Sequence, residues 1–79
     1  MEIKIYGPGC ARCYELEKRV RRAVDELGVA AEIQKVSDLR AIAAAGIMST
    51  PGLVIDGRVK ASGRIPSLDE IKQWIREET

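Results

Sequence analysis

"GIMSTPGLVIDGRVKAS", residues 46–62, is the stretch whose reading decides the fold. Asp56-Gly57 stands between two short strand-like runs, "LVI" and "RVKAS". Both central residues of a type I′ turn need positive φ, which Asp and Gly tolerate better than other residues. The stretch therefore predicts a hairpin with strands over 53–55 and 58–62. The hairpin begins only after the break at "STPG".

Working toward the N-terminus, Gly46 closes a short helix running through Leu39, Ile42 and Ala45, with Ser37 or Asp38 as its cap. "AEIQKV", 31–36, reads as a strand. From Ala11 to Leu27 the residues Leu16, Val20, Ala23, Val24 and Leu27 recur at helical spacing, and Gly28 is placed to end that helix. "EIKIY", 2–6, alternates and is rich in β-branched residues, so it reads as the first strand. Working toward the C-terminus, Ser67 with Glu70 three residues on forms a capping box. It opens a last helix whose apolar face holds Leu68, Ile71, Trp74 and Ile75, with Trp74 expected in the core. The order is β-α-β-α-β-β-α. The first β-α-β unit should be right-handed with parallel strands, and the hairpin adds antiparallel ones. An α/β domain over residues 1–79, with a four-stranded mixed sheet and three helices, is the expected architecture.

Composition narrows the function classes. The chain is 46% apolar, as in ordinary globular proteins, with few aromatic residues and no Phe. Thirteen basic residues against twelve acidic ones leave a formal charge of +1, so no net field favours nucleic acid or an anionic membrane. The local excess at Lys18, Arg19, Arg21 and Arg22 reads as the solvated face of a helix. No run approaches the roughly 20 apolar residues that span a bilayer. "EIKIY" is too short for a signal core and lacks a basic leader, so a cytoplasmic setting is expected, where thiols are kept reduced.

The chemistry-bearing motif is "GPGCARC", 7–13, which holds both cysteines, Cys10 and Cys13. A bridge between them closes almost no loop, and so adds little as a structural staple. Structural zinc wants four Cys or His ligands; the chain has two Cys and no His. Two thiolates can still hold a soft ion such as Cu(I), and "GPGCARC" is somewhat like the loop of heavy-metal-associated domains. Those domains run βαββαβ and end on a strand, whereas this chain ends in a helix. Redox exchange fits the context better. A C-x-x-C pair that follows a strand and opens a helix has its first sulfur at the positive end of the helix dipole, where thiolate is favoured. Cys10 is then the exposed nucleophile and Cys13 the more buried resolving residue. Arg12, between them, adds positive potential.

On "GPGCARC", "ELGV" and "GIMSTPGLVIDGRV", together with "SGRIPSLDEI", the chain resembles the thioredoxin superfamily. It is most similar to the small thioredoxin-like or glutaredoxin-like redox-active disulfide proteins of bacteria and archaea. The resemblance implies a thioredoxin fold and a thiol–disulfide oxidoreductase. It implies disulfide-containing protein substrates and a thioredoxin reductase or similar electron donor, with no bound cofactor, no resident metal, and a monomeric state. It also implies a cis peptide bond before Pro51, facing the C-x-x-C loop, with the Thr50 backbone pairing to an extended substrate segment. Gly9, Arg12 and an apolar lip at Met48 complete the expected substrate-binding set, and Tyr6 ends its strand close to that loop. Thioredoxins typically carry Trp before the first Cys and Pro within the motif; here those places hold Gly9 and Ala11-Arg12. The usual buried carboxylate near the second Cys has no evident match in sequence, and Lys4 and Lys35 are the candidates for charge near the site.

Overall fold

The computed structural model describes residues 1–9 and 11–79. Its elements run β1 (Glu2–Tyr6), α1 (Ala11–Leu27), β2 (Glu32–Val36), α2 (Leu39–Ala44), β3 (Gly52–Ile55), β4 (Arg58–Ser62) and α3 (Leu68–Glu77). The four strands lie in the order β2-β1-β3-β4. β1 and β2 are parallel, while β3 is antiparallel to both β1 and β4. This is the βαβαββα order and the mixed sheet that the sequence predicts. β3 starts one residue earlier than expected, because Gly52 has partners on both sides, Tyr6 and Ser62.

Local chemistry explains the element ends. Asp56 and Gly57 take φ of 48° and 81°, both positive as the hairpin turn requires. Asp56 also accepts from Glu2 N–H through Oδ1 at 2.8 Å and donates its own N–H to Glu2 O at 2.8 Å, which ties the turn to the start of β1. α1 ends at Gly28, with φ of 66°. Gly28 N–H bonds Asp25 O and Val29 N–H bonds Val24 O, the paired reverse bonds that satisfy the last carbonyls of a helix. Asp38 rather than Ser37 caps α2, accepting from Arg40 N–H. Ser67 and Glu70 form the reciprocal capping box of α3.

Two apolar clusters hold the sheet. On one face, Ile3, Ile5, Leu53, Ile55 and Ala61 pack against Leu16, Val20 and Ala23 of α1 and Ile71 and Ile75 of α3. Each large aliphatic side chain buried there contributes roughly 1.5–3 kcal/mol. On the other face, the smaller group of Tyr6, Ile42, Ile47 and Val54 lies under α2. Trp74 departs from the expectation. It is half-buried at the margin of the first cluster, because Ile71 and Ile75 occupy the middle of the inward stripe. The Arg64 guanidinium lies 5.8 Å from its ring centroid. The outer face of α1 is charged as expected, with Arg19, Arg21 and Arg22 each paired to a glutamate one turn away. Such exposed pairs contribute little individually.

Because β1, β2 and β4 run one way and β3 the other, four chain segments meet at one end of the sheet. These are the turn after β1, the turn after β2, the loop entering β3 and the loop leaving β4. The start of α1 lies at that same end.

Candidate functional site

Cys13 stands in the first turn of α1, on the stripe that continues through Leu16, Val20 and Ala23, and is 6% exposed. Helical spacing alone turns its sulfur inward. No acidic residue occupies the first turn of α1, so the positive end of the helix dipole has no side-chain carboxylate to offset it. Cys10, expected as the nucleophile, lies outside the described residues.

Gly7 is what lets the sulfur sit where it does. A β-carbon at Gly7 would fall inside the van der Waals envelope of Cys13 Sγ, 3.4 Å from Cys13 Cβ and 3.9 Å from Pro51 Cα. Cys13 and Pro51 therefore crowd the same side of Gly7, where only a glycine leaves room for both. Gly7 N–H bonds Val36 O at 2.9 Å, which fixes the turn to the end of β2. The Thr50–Pro51 peptide bond is cis, as the resemblance implies, and Pro51 is fully buried.

The loop leaving β4 completes this end of the sheet. Gly63 donates its N–H to Pro51 O at 3.0 Å, and Ser62 Oγ donates to Ser49 O at 3.1 Å. Gly63 has φ of 79°, and a β-carbon there would meet Ser49 Cβ at 2.8 Å, so this crossing too depends on glycine. The Gly63 carbonyl in turn accepts from Arg12 Nη2 at 3.2 Å. The sequence gives Arg12 a charge for the motif and a place in the substrate-binding set; the structure also ties it across the chain to the loop that holds Pro51.

A cavity of about 280 Å³ opens beside Cys13, lined by Ile5, Gly7, Pro8, Gly9, Cys13, Lys35 and Ser37. Gly9, exposed with φ of 91°, forms part of its rim. Two larger hollows lie elsewhere, one between α1 and the start of α3 and one on the opposite face of the sheet. Neither is lined by a cysteine among the described residues. We take the smaller cavity as the site because it alone of the three holds sulfur. Of the two lysines considered in sequence, Lys35 lines it. Lys4 lies on the opposite face, in the hollow beside Tyr6 and Val54, and pairs with Glu2 at 3.6 Å. Tyr6 belongs to that face as well and not to the Cys13 cavity. Lys35 Nζ lies 3.2 Å from Glu17 Oε1, and the Glu17 side chain is only 12% exposed. The Glu17 carboxyl is held below its ordinary range, chiefly by the hydrogen bond from Arg21, against a partial desolvation cost, with Lys35 adding to the lowering. Sequence reasoning missed Glu17, although its position one helical turn beyond Cys13 was the available signal.

Thr50 is half-buried at the cis bond. Met48 projects into solvent at 95% exposure. Its neighbour Ile47 is buried and anchors the loop, packed so tightly that a β-carbon at Gly52 would lie 2.8 Å from two of its side-chain carbons.

A family model described as the thioredoxin domain matches residues 1–76. The chain belongs to the thioredoxin family. It is similar to the thioredoxin of Methanothermobacter thermautotrophicus, 49% identical over 73 residues, which is 92% of this chain and 95% of that one. It is also similar to the thioredoxin of Methanocaldococcus jannaschii, 42% identical over 74 residues, covering 94% of this chain and 85% of that one. Membership of this thiol–disulfide oxidoreductase family identifies a thioredoxin-like redox protein. No helix among the described residues is long and apolar enough to cross a membrane.

Proposed function

We propose that the chain reduces protein disulfides through a Cys10–Cys13 dithiol, as a cytoplasmic monomer formed by residues 1–79. The observation that carries this reading is the placement of Cys13, buried in the first turn of α1 and, with cis-Pro51, packed against the same side of Gly7. A sulfur so enclosed is poorly placed to meet a protein substrate first, but well placed to attack a neighbour. Cys10, three residues earlier, makes the first attack as thiolate on a substrate disulfide. It forms a mixed disulfide and expels one substrate thiolate. Cys13, as thiolate, then attacks the Cys10 sulfur and expels the second substrate thiolate, leaving a Cys10–Cys13 disulfide. Two electrons from a separate thioredoxin reductase or similar donor restore the dithiol. Extended substrate backbone pairs with Thr50 beside Pro51, with Gly9, Arg12 and Met48 around it. Lys35, paired with Glu17 at 3.2 Å, sets the charge along the wall of the cavity in which this second step takes place.

The test is the pair of single substitutions assayed on insulin disulfides. Cys10→Ser should abolish reduction, and Cys13→Ser should trap mixed disulfides visible by mass. Unchanged turnover in Cys10→Ser would sink the assignment. Tight one-to-one Cu(I) binding by both sulfurs, with no disulfide reduction, would instead favour a soft-metal carrier.

A further inference from the structure

Of the four segments at the site end of the sheet, three, residues 7–14, 46–55 and 61–66, contain no Asp, Glu or Lys, and their charged side chains are Arg12 and Arg64. The fourth, at the end of β2, carries Lys35, already paired with Glu17. Arg64 is already engaged: both its terminal nitrogens bond Glu70, at 3.2 and 2.9 Å, and its guanidinium lies over Trp74. Arg12 is exposed, and its hydrogen bond among the described residues is to a neutral acceptor, the Gly63 carbonyl. A guanidinium has five N–H donors, so most of its capacity stays open to a ligand. The bond to Gly63 also decides where that charge sits. Gly63 N–H is spent on Pro51 O, so Arg12 is held at the flank of the Thr50–Pro51 segment. The unopposed N-terminal dipole of α1 has the same sign. Beyond the cavity, Asp38 is engaged in capping α2.

We propose that Arg12 makes this site prefer disulfides flanked, on the side nearer Gly63, by a carboxylate. The inference rests on the dithiol reading given above and names its substrate class. Arg12 acts as a specificity and positioning residue: it attracts an acidic neighbour of the reacting sulfur and repels a basic one. Unit charges about 5–7 Å apart in water change a rate by roughly three- to fourfold, so an acidic and a basic substrate should differ by about tenfold at low salt. At about 1 M salt the Debye length falls to roughly 3 Å and most of that difference should vanish.

The test uses two cystine peptides of equal length, one with Glu and one with Lys beside the disulfide. The pre-reduced protein supplies the two electrons: each event converts one peptide disulfide to two thiols and the protein dithiol to its disulfide. Each second-order rate is divided by that of dithiothreitol with the same peptide, which removes the peptide's own reactivity. The expected Glu-to-Lys ratio is about ten at low salt, falling toward one in high salt. Arg12→Gln, which keeps a donor for Gly63 O but loses the charge, should bring the ratio near one at every salt. Arg12→Lys should keep at least half of it. A wild-type ratio near one, a ratio that survives Arg12→Gln, or a ratio lost in Arg12→Lys overturns the inference while leaving the dithiol reading intact. Failure to reduce either peptide overturns the dithiol reading and this inference with it.

Discussion

Replacing Gly7 by alanine should damage this protein through one atom. Gly7 does not have positive φ, so its backbone would accept alanine without strain, and the usual entropic effect of Gly→Ala would be a gain of about 0.4–1 kcal/mol. The new methyl, however, would intrude on Cys13 Sγ, well inside the roughly 3.5–4.0 Å at which nonbonded heavy atoms rest. Its other neighbours, Cys13 Cβ at 3.4 Å and Pro51 Cα at 3.9 Å, are in ordinary contact. The sulfur must rotate away or the turn after β1 must move, an overpacking cost of about 1–3 kcal/mol. For a domain of this size each kcal/mol shifts Tm by roughly 4–8 °C. The assay is thermal or urea unfolding under excess reductant, in wild type and in a Cys13→Ala background. In wild type, Gly7→Ala should lower Tm by roughly 5–20 °C. In the Cys13→Ala background the offending atom is gone, and the same substitution should be neutral or mildly stabilising. The difference is a coupling energy of about 1–3 kcal/mol. Equal cost in both backgrounds, or no cost in wild type, would refute the claim that Gly7 exists to admit that sulfur.

Other perturbations test other parts of the structure. Ser67→Ala removes the oxygen that accepts Glu70 N–H at 3.1 Å, and should destabilise by about 1 kcal/mol, read as a Tm fall of several degrees. Glu70 is held down to about 2 from an ordinary 4.5, first by Arg64 and then by the Ser67 backbone N–H. A lowered folded-state value means this contribution is fully present above about 4.5 and lost as pH falls toward about 2. Glu70→Gln should therefore flatten the acid limb of a Tm-against-pH curve over that window; a limb as steep as wild type would count against the pairing. Lys35→Met should lengthen the life of the mixed disulfide trapped on mixing with substrate severalfold, whereas Lys4→Met, on the opposite face, should leave it unchanged. Equal effects from the two lysines would show that charge at the Cys13 cavity is not what matters.

The elements of this protein are written locally. The Asp56-Gly57 turn, the Ser67 capping box, the Gly28 terminator and the inward stripe of α1 each depend on residues within a few positions of one another, so a reader of the chain can place them. The C-x-x-C spacing and the inward turn of Cys13 are local in the same sense. The site's surroundings are not. Gly7 meets Cys13 and Pro51, and Gly63 meets Arg12, Ser49 and Pro51, only once β3 has inserted between β1 and β4. Trp74 and the buried isoleucines share one apolar pattern, and only packing decides which of them takes the centre. The two lysines make the same point at the level of a single register. In the parallel pairing of β1 with β2, Lys35 sits opposite Ile5, whose face looks toward α1, while Lys4 sits opposite Gln34. A shift of one residue would exchange the faces, because side chains alternate along a strand. Nothing near either lysine in the sequence specifies that register; it is set by burying Ile3 and Ile5 together with Leu53 and Ile55 beneath two helices, a collective result of the whole apolar core.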